Sequence, residues 1–229
     1  SFAVTDWGTM YGAHRPAEDG TTYWRVAHFL FPFWTIPPDG DFSTHVVARA
    51  WVPLDDTHCM FFIWSWLGAT PKERLLASGK PIPGVNFGQQ GLLPNTTDWL
   101  GRYRLARNAG NDYQIDRAAQ RSGANFSGFN NITLEDQALT ESMGSIVDHT
   151  FEHLAPSDQM IGVTRRRLLQ AVRDYTDKGV VPPGVDNADV FLSARGGDFV
   201  APAELDFDGA YWREMRRSEN PTGRLLAAE

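Results

Sequence analysis

A chain of 229 residues with 42% apolar content is long enough to bury one substantial core, so a single domain is the default expectation. A formal charge of −7 argues against a nucleic-acid partner, because phosphate binding needs a basic surface. No apolar run approaches the roughly 20 residues of a membrane span, no signal-peptide pattern opens the chain, and the single cysteine agrees with a reducing, cytoplasmic setting. Eight Trp, fourteen Phe and six Tyr offer large areas for burial and can also wall a pocket for a flat ligand.

The first third reads as β structure. Tyr23 to Phe33 and Thr44 to Pro53 are rich in β-branched and aromatic residues, with turn signals at Glu18-Asp19-Gly20 and Pro37-Pro38-Asp39-Gly40. Cys59 to Leu67 resumes the pattern after Asp55-Asp56, which predicts an antiparallel hairpin and assigns the two aspartates to turn chemistry rather than to an acid–base pair. In that strand Met60, Phe62, Trp64 and Trp66 share one face, while Cys59, Phe61, Ile63 and Ser65 share the other. Both faces are apolar, so a central strand covered on both sides is expected, with Cys59 acting as a small hydrophobe.

Pro71 to Asn95 is rich in Gly and Pro and too long for an ordinary connection, which marks a functional or disordered loop. Asn111 to Asn131 suits a sharply turning lead into a helix at Leu134. A second helix is predicted from Ser157 as N-cap, with the stripe Met160, Ile161, Leu168, Leu169, Val172 and Tyr175 packing across the sheet and Gly179 ending it. The tail from Asp186 has weak periodicity and reads as a peripheral extension, residues 186–229. The pattern gives α+β, an antiparallel sheet wrapped on a long helix.

Within Ile132 to Gly144, ITLEDQALTESMG, Asp136 stands at a helix start behind a Gly/Asn-rich loop. Two readings are open there: Thr133 and Asp136 fit the T-x-x-D capping pattern, and Asp136 is also a candidate metal ligand. Of Glu135 and Glu141 on the same helix neither is read as a ligand; Glu141 reads as structural, with support of a metal ligand as the alternative. His149 and His153 are spaced i, i+4, which on a helix puts both imidazoles on one face and, with Glu152, could form part of a zinc site. His14, His28, His45 and His58 lack ligand spacing and read as structural histidines. Arg165, Arg166 and Arg167 read as a solvated helix face, with a docking patch for an acidic electron-transfer partner as the alternative.

Four stretches carry a family resemblance: NDYQIDRAAQR (111–121), SGANFSGFNN (122–131), ITLEDQALTESMGSIVDHTFEHLAPSD (132–158) and TRRRLLQAV (164–172). Together they resemble the C-terminal part of Rieske non-heme iron aromatic oxygenase alpha subunits, of the phthalate 4,5-dioxygenase and dehydrodivanillate O-demethylase type. DWGTMYGAHRPAEDGTTYWRVAHFLFPFWTIPP (6–38) and ARAWVPLDDTHCMFFIW (48–64) are similar to sheet strands of the same catalytic domain, so the resemblance covers roughly residues 4–185.

The resemblance implies a helix-grip, START-like fold, with residues 1–185 as the C-terminal portion of the catalytic domain. It implies hydroxylation or O-demethylation of an aromatic, carboxylated substrate by O2 at mononuclear Fe(II), with Asp136 as the carboxylate ligand. Electrons would come from NADH through a reductase or ferredoxin and a 2Fe–2S Rieske cluster, in a homotrimer. The cluster takes two Cys and two His, and the family's two iron-binding histidines lie in a D-x-x-H-x4-H helix; neither pattern occurs here. The expectation is therefore one of three iron ligands, and no turnover by these residues alone. Trp24, Phe62 and Trp64 are expected at the pocket wall, and Arg25 as the cation facing a substrate carboxylate. The competing readings are a non-enzymatic helix-grip module for an apolar ligand and a zinc hydrolase on His149, His153 and Glu152.

Overall fold

The computed structural model describes residues 1–67, 78–79 and 91–218, so the loop expected at Pro71 to Asn95 falls largely outside the described residues. In chain order the regular elements are β1 (Phe2–Thr5), β2 (Gly8–Pro16), β3 (Thr21–Leu30), β4 (Trp34–Ile36), β5 (His45–Pro53), β6 (Cys59–Leu67), α1 (Arg117–Ser122), α2 (Ile132–Ser142), α3 (Gln159–Lys178), β7 (Gly197–Pro202) and α4 (Phe207–Arg217). They fall into two compact units: residues 1–71 with 153–229, and residues 72–152.

The first unit holds an antiparallel sheet of seven strands in the order β1 to β6, with β7 added on β3. β3 pairs with β2 along its length on one side; on the other, its first half takes β7 and its last residues take β4. The α+β, helix-grip-like architecture read from the sequence is thus borne out, as is the β5–β6 hairpin. At its turn Asp55 Oδ1 accepts the backbone N–H of Thr57 at 2.8 Å and of His58 at 2.7 Å. Those bonds to the charged form, with that from the His58 ring, pull its carboxyl down to about 2. This is turn chemistry, as expected.

Period-two alternation builds the core. Trp24, Val26, His28 and Leu30 on β3 point to one face and are buried there with Met10, Phe42, Phe199, Phe207, Tyr211 and Met215. Gly12 of β2 makes room for this layer, since a Cβ there would lie 2.4 Å from the Phe207 ring. Residues 186–218, expected to be peripheral, instead supply β7 and α4, whose Ala210, Tyr211 and Met215 are fully buried. Short periodic segments near a chain end look marginal by pattern alone; here their apolar positions complete the sheet's core.

Two polar residues are buried in that layer. The indole N–H of Trp7 donates to His28 Nδ1 at 3.1 Å, and His28 Nε2 donates to the Arg195 carbonyl at 2.8 Å. Because Trp can only donate, the imidazole is held as the neutral Nε2–H form. Arg195 donates from Nε to the Phe42 carbonyl at 2.7 Å and lies over the Phe42 ring at 5.8 Å. Its N–H meets Tyr211 Oη at 2.8 Å, which in turn donates to Ser193 O at 2.7 Å. His28 is therefore the satisfied structural histidine that its lack of ligand spacing suggested.

Two expectations are corrected. β6 is the last strand of the sheet path among the described residues rather than a central strand, and Phe62, Ile63, Trp64 and Cys59 are exposed on it. α3 does pack on β1 and β2, but with its polar side. Thr164 Oγ1 bonds the buried Thr9 Oγ1 at 2.7 Å, and Arg167 donates to the carbonyls of Thr5 and Gly8. Ile161, Leu169, Val172 and Tyr175 are exposed. The sheet edge presents carbonyls and a buried hydroxyl, and those groups demand hydrogen-bonding partners more than the stripe demands burial. α3 ends as expected at Gly179, in the left-handed conformation at φ 70°.

Burial holds His28 at about 4, below its ordinary 6.5. The unfolded chain therefore binds the proton first as pH falls, so this contribution is complete above pH ~6.5 and is lost progressively toward pH ~4. A loss of about 3 kcal/mol across that window is expected from a depression of this size. Urea melts of wild type and His28→Gln at pH 7.5, 5.5 and 4.5 check it, and parallel pH profiles for the two proteins contradict it.

Candidate functional site

The second unit is built around α2. Asn131, not Thr133, is its N-cap: Asn131 Oδ1 accepts the N–H of Thr133 at 2.9 Å and of Leu134 at 3.3 Å. The helix thus starts two residues earlier than T-x-x-D spacing suggests, and Asp136 lies in its second turn, past the orphan donors that a cap satisfies. Leu134 and Ala138 form the buried face, packed with Tyr113, Phe129 and Ile115. Asp136 is roughly 200° around the helix from Leu134 at ~100° per residue, and it is exposed. Among the described residues no side chain engages its carboxylate; only its carbonyl is used, by Thr140 Oγ1 at 2.7 Å.

The roll of α2 is set by Glu141. Its Oε2 accepts from the Tyr113 hydroxyl at 2.8 Å and its Oε1 from Gln137 Nε2 at 2.7 Å. Burial and the adjacent Glu141 carboxylate push the Tyr113 phenol up to about 12. The structural reading of Glu141 is thus given a geometry. Asp112, Tyr113 and Gln114 follow one another with φ of 50°, 51° and 51°, a left-handed run that costs non-glycine residues ~1 kcal/mol each or more. Arg117 holds this run from one side with bonds of 2.9–3.1 Å to Asp112, and Tyr113 anchors it from the other. Gly128 (φ 75°) closes the loop before α2, where a Cβ would come within 2.7 Å of the Ile115 side chain.

A cavity of about 290 Å³ opens beside the first turn of α2, lined by Gly91, Ala106, Arg107, Gln114, Asn130, Asn131 and Leu134. None of these was read from the sequence as a binding residue; Asn130, Asn131 and Leu134 entered only as the turning lead into the helix and its start. The Asn/Gly turn cluster after Arg107 was a signal that the arginine sits on a loop rather than on a helix face.

The residues expected at the substrate pocket, Trp24, Arg25, Phe62 and Trp64, all lie in the first unit. Trp24 is 4% exposed and stacks on Phe207 at 5.4 Å inside the sheet core. Phe62 and Trp64, 42% and 49% exposed, stack on each other at 5.4 Å on β6. Arg25 reaches back to the Pro38 carbonyl at 3.2 Å. The helical face proposed for His149 and His153 does not form: His149 lies in a three-residue 3-10 turn, and Glu152 after it is extended at φ −81°, ψ 132°. Among the described residues there is no group of three His, Cys, Asp or Glu able to hold a metal ion. Of the three arginines on α3, Arg167 is bound to the sheet edge.

Over residues 2–190 the sequence matches the family described as LigXa C-terminal domain like, and the chain belongs to that family. It is 47% identical over 206 residues to the 3-chlorobenzoate-3,4-dioxygenase oxygenase subunit of Comamonas testosteroni, covering 89% of this chain and 48% of the relative. It is 31% identical over 216 residues to the phthalate 4,5-dioxygenase oxygenase subunit of Pseudomonas putida, covering 93% and 45%. The chain spans about half the length of these curated relatives. The resemblance read from the sequence motifs is borne out.

The capping assignment separates Asn131 from Thr133. Asn131→Ala is expected to cost about 1 kcal/mol, whereas Thr133→Ala stays within ~0.5 kcal/mol. Thermal melts of the two variants decide it; equal losses, or a larger loss for Thr133→Ala, contradict the assignment.

Proposed function

We propose that the chain is the catalytic-domain part of an oxygenase that uses O2 to hydroxylate or O-demethylate an aromatic, carboxylated substrate. The observation that carries this reading is 47% identity, over nearly the whole chain, to an oxygenase subunit named for 3-chlorobenzoate. A second relative named for phthalate supports the same substrate chemistry, a ring bearing a carboxylate. A non-enzymatic binding module is not favoured by this kinship. A zinc site on His149, His153 and Glu152 loses its basis with the helical face it required.

Asp136 is proposed as the carboxylate donor to mononuclear Fe(II). It fits that part as an exposed oxygen donor with no competing side-chain partner among the described residues, on a helix whose roll is fixed by Glu141. The described residues do not complete a site by themselves, so the two histidine donors are proposed to come from other residues of the full protein. When bound, iron in such a site supplies O2 activation. The chain's own part is to hold Asp136 on a rigid helix while burying the opposite face of that helix. A Rieske 2Fe–2S cluster needs two cysteines and the chain has one, so the cluster too is proposed to lie elsewhere in the full protein. NADH would feed it through a reductase or ferredoxin, in a homotrimeric, cytoplasmic enzyme. No helix among the described residues is long and apolar enough to cross a membrane.

In the full-length enzyme Asp136→Asn is expected to lower iron affinity by more than the ~10- to 100-fold typical of losing only an outer-shell partner, and to abolish product formation. The melting temperature of the metal-free protein should not move, because among the described residues no side chain engages the Asp136 carboxylate. Metal analysis with a melt of the apo form checks this. Full iron content in Asp136→Asn overturns the assignment.

A further inference from the structure

The cavity beside α2 has a feature that its packing role does not account for. Arg107, Gln114 and Asn130 all line it, and among the described residues none of their side chains has a hydrogen-bonding or ionic partner. Gln114 and Asn130 are exposed at its rim, whereas Arg107 is half-buried, where a charged group ordinarily takes a partner. The backbone at the rim is itself held in place. Gln114 is the last of three left-handed residues, and the two before it are anchored by Arg117 and Glu141. Strain of this kind persists where the surroundings over-determine it, and it concentrates at ligand sites.

The chemistry of the lining is specific. Arg107 supplies a planar, permanently charged fork that matches a carboxylate in two parallel hydrogen bonds. Gln114 and Asn130 add amide donors, and Leu134 and Ala106 give the cavity an apolar wall. At about 290 Å³ it is near the lower limit of the roughly 300–1,000 Å³ range of ligand pockets, which suits one ring rather than an extended molecule. We propose that this cavity is a binding site for the carboxylate of a single-ring aromatic acid, with Arg107 as its anchor. The proposal rests on the substrate class given above. It moves the carboxylate contact from Arg25, whose guanidinium is engaged with the Pro38 carbonyl, to Arg107.

The test uses the full-length protein with benzoate and phthalate as probes and benzamide as the uncharged control, read by calorimetry. Arg107→Gln is expected to weaken benzoate and phthalate binding about 10- to 100-fold, the effect of losing a charged hydrogen-bonding partner. Benzamide affinity should change little, and Arg107→Lys should restore part of the loss. Among the described residues the Arg107 side chain has no hydrogen-bonding or ionic partner, so a thermal melt close to wild type is expected to accompany the change. Two sources of the acid are separated by turnover of 3-chlorobenzoate or phthalate with reductase and NADH. A raised KM at nearly constant kcat assigns the site to substrate, whereas a weaker benzoate Kd with unchanged KM assigns it to a second acid acting as effector. Equal benzoate affinity in wild type and Arg107→Gln overturns the proposal. Asp136→Asn should keep benzoate binding, so failure of the iron assignment and failure of this one give different results.

Discussion

The sheet unit depends on one buried chain of hydrogen bonds that runs in a single direction. The indole of Trp7 donates to His28, His28 to the Arg195 carbonyl, the Arg195 N–H to the Tyr211 oxygen, and the Tyr211 hydroxyl to Ser193. Each intermediate member donates once and accepts once, and two of its links tie the sheet to the segment before β7 and that segment to α4. Left unpaired, any of these groups would cost 1–3 kcal/mol in such surroundings, so the chain works as a register device. β7 can join β3 and α4 can cover the sheet only in the arrangement that closes it. Whether networks of this kind add net stability is secondary; they exclude alternative packings of the same apolar residues.

Unit 2 uses the same logic on a smaller scale. Its apolar cluster has four buried members, too few to define a helix orientation sharply. Polar contacts supply the definition: Asn131 fixes where α2 begins, and Glu141, braced within the helix by Gln137, fixes its roll through Tyr113. The consequence for Asp136 is indirect. A carboxylate free of partners is available for chemistry only if its helix cannot rotate it into the core, and the residues that prevent this sit on the opposite side of α2.

Much of the sheet was legible because the β-branched and aromatic content of β3 and β5 and the Asp55 turn are local signals. The errors have physical causes. β6 read as central because both its faces are apolar, yet strand order is set by pairing partners that a single strand's pattern does not reveal. The α3 stripe was read correctly as a stripe and wrongly as the buried face, because Thr164 and Arg167 are recruited by groups on β1 and β2 that no helical periodicity can foresee. Asp136 was singled out from family motifs and its local setting was misjudged, since Asn131 outcompetes Thr133 as a cap. Arg107 was invisible: a single arginine before a turn has no spacing, and its meaning comes only from the cavity that the fold places beside it.

The pairing of β3 with β7 has a kinetic side. Tyr23 and Asp198 are hydrogen-bonded at 3.1 Å although 175 residues separate them, and the core residues of α4 lie later still. A ribosome delivering residues in order presents β3 long before its partner exists, and for that interval Trp24 and Val26 have no layer above them. Closure over so long a loop is slow, since the entropy of joining the ends must be met before the contacts form. The β5–β6 hairpin, with its short Asp55 turn, is local enough to form early and then waits. Between the synthesis of β3 and that of α4, nascent chains of this protein should therefore carry an incomplete sheet with aromatic surface uncovered, which makes them clients for chaperones that bind such surface. Folding is gated by the last tenth of the described chain rather than by the strands that begin it.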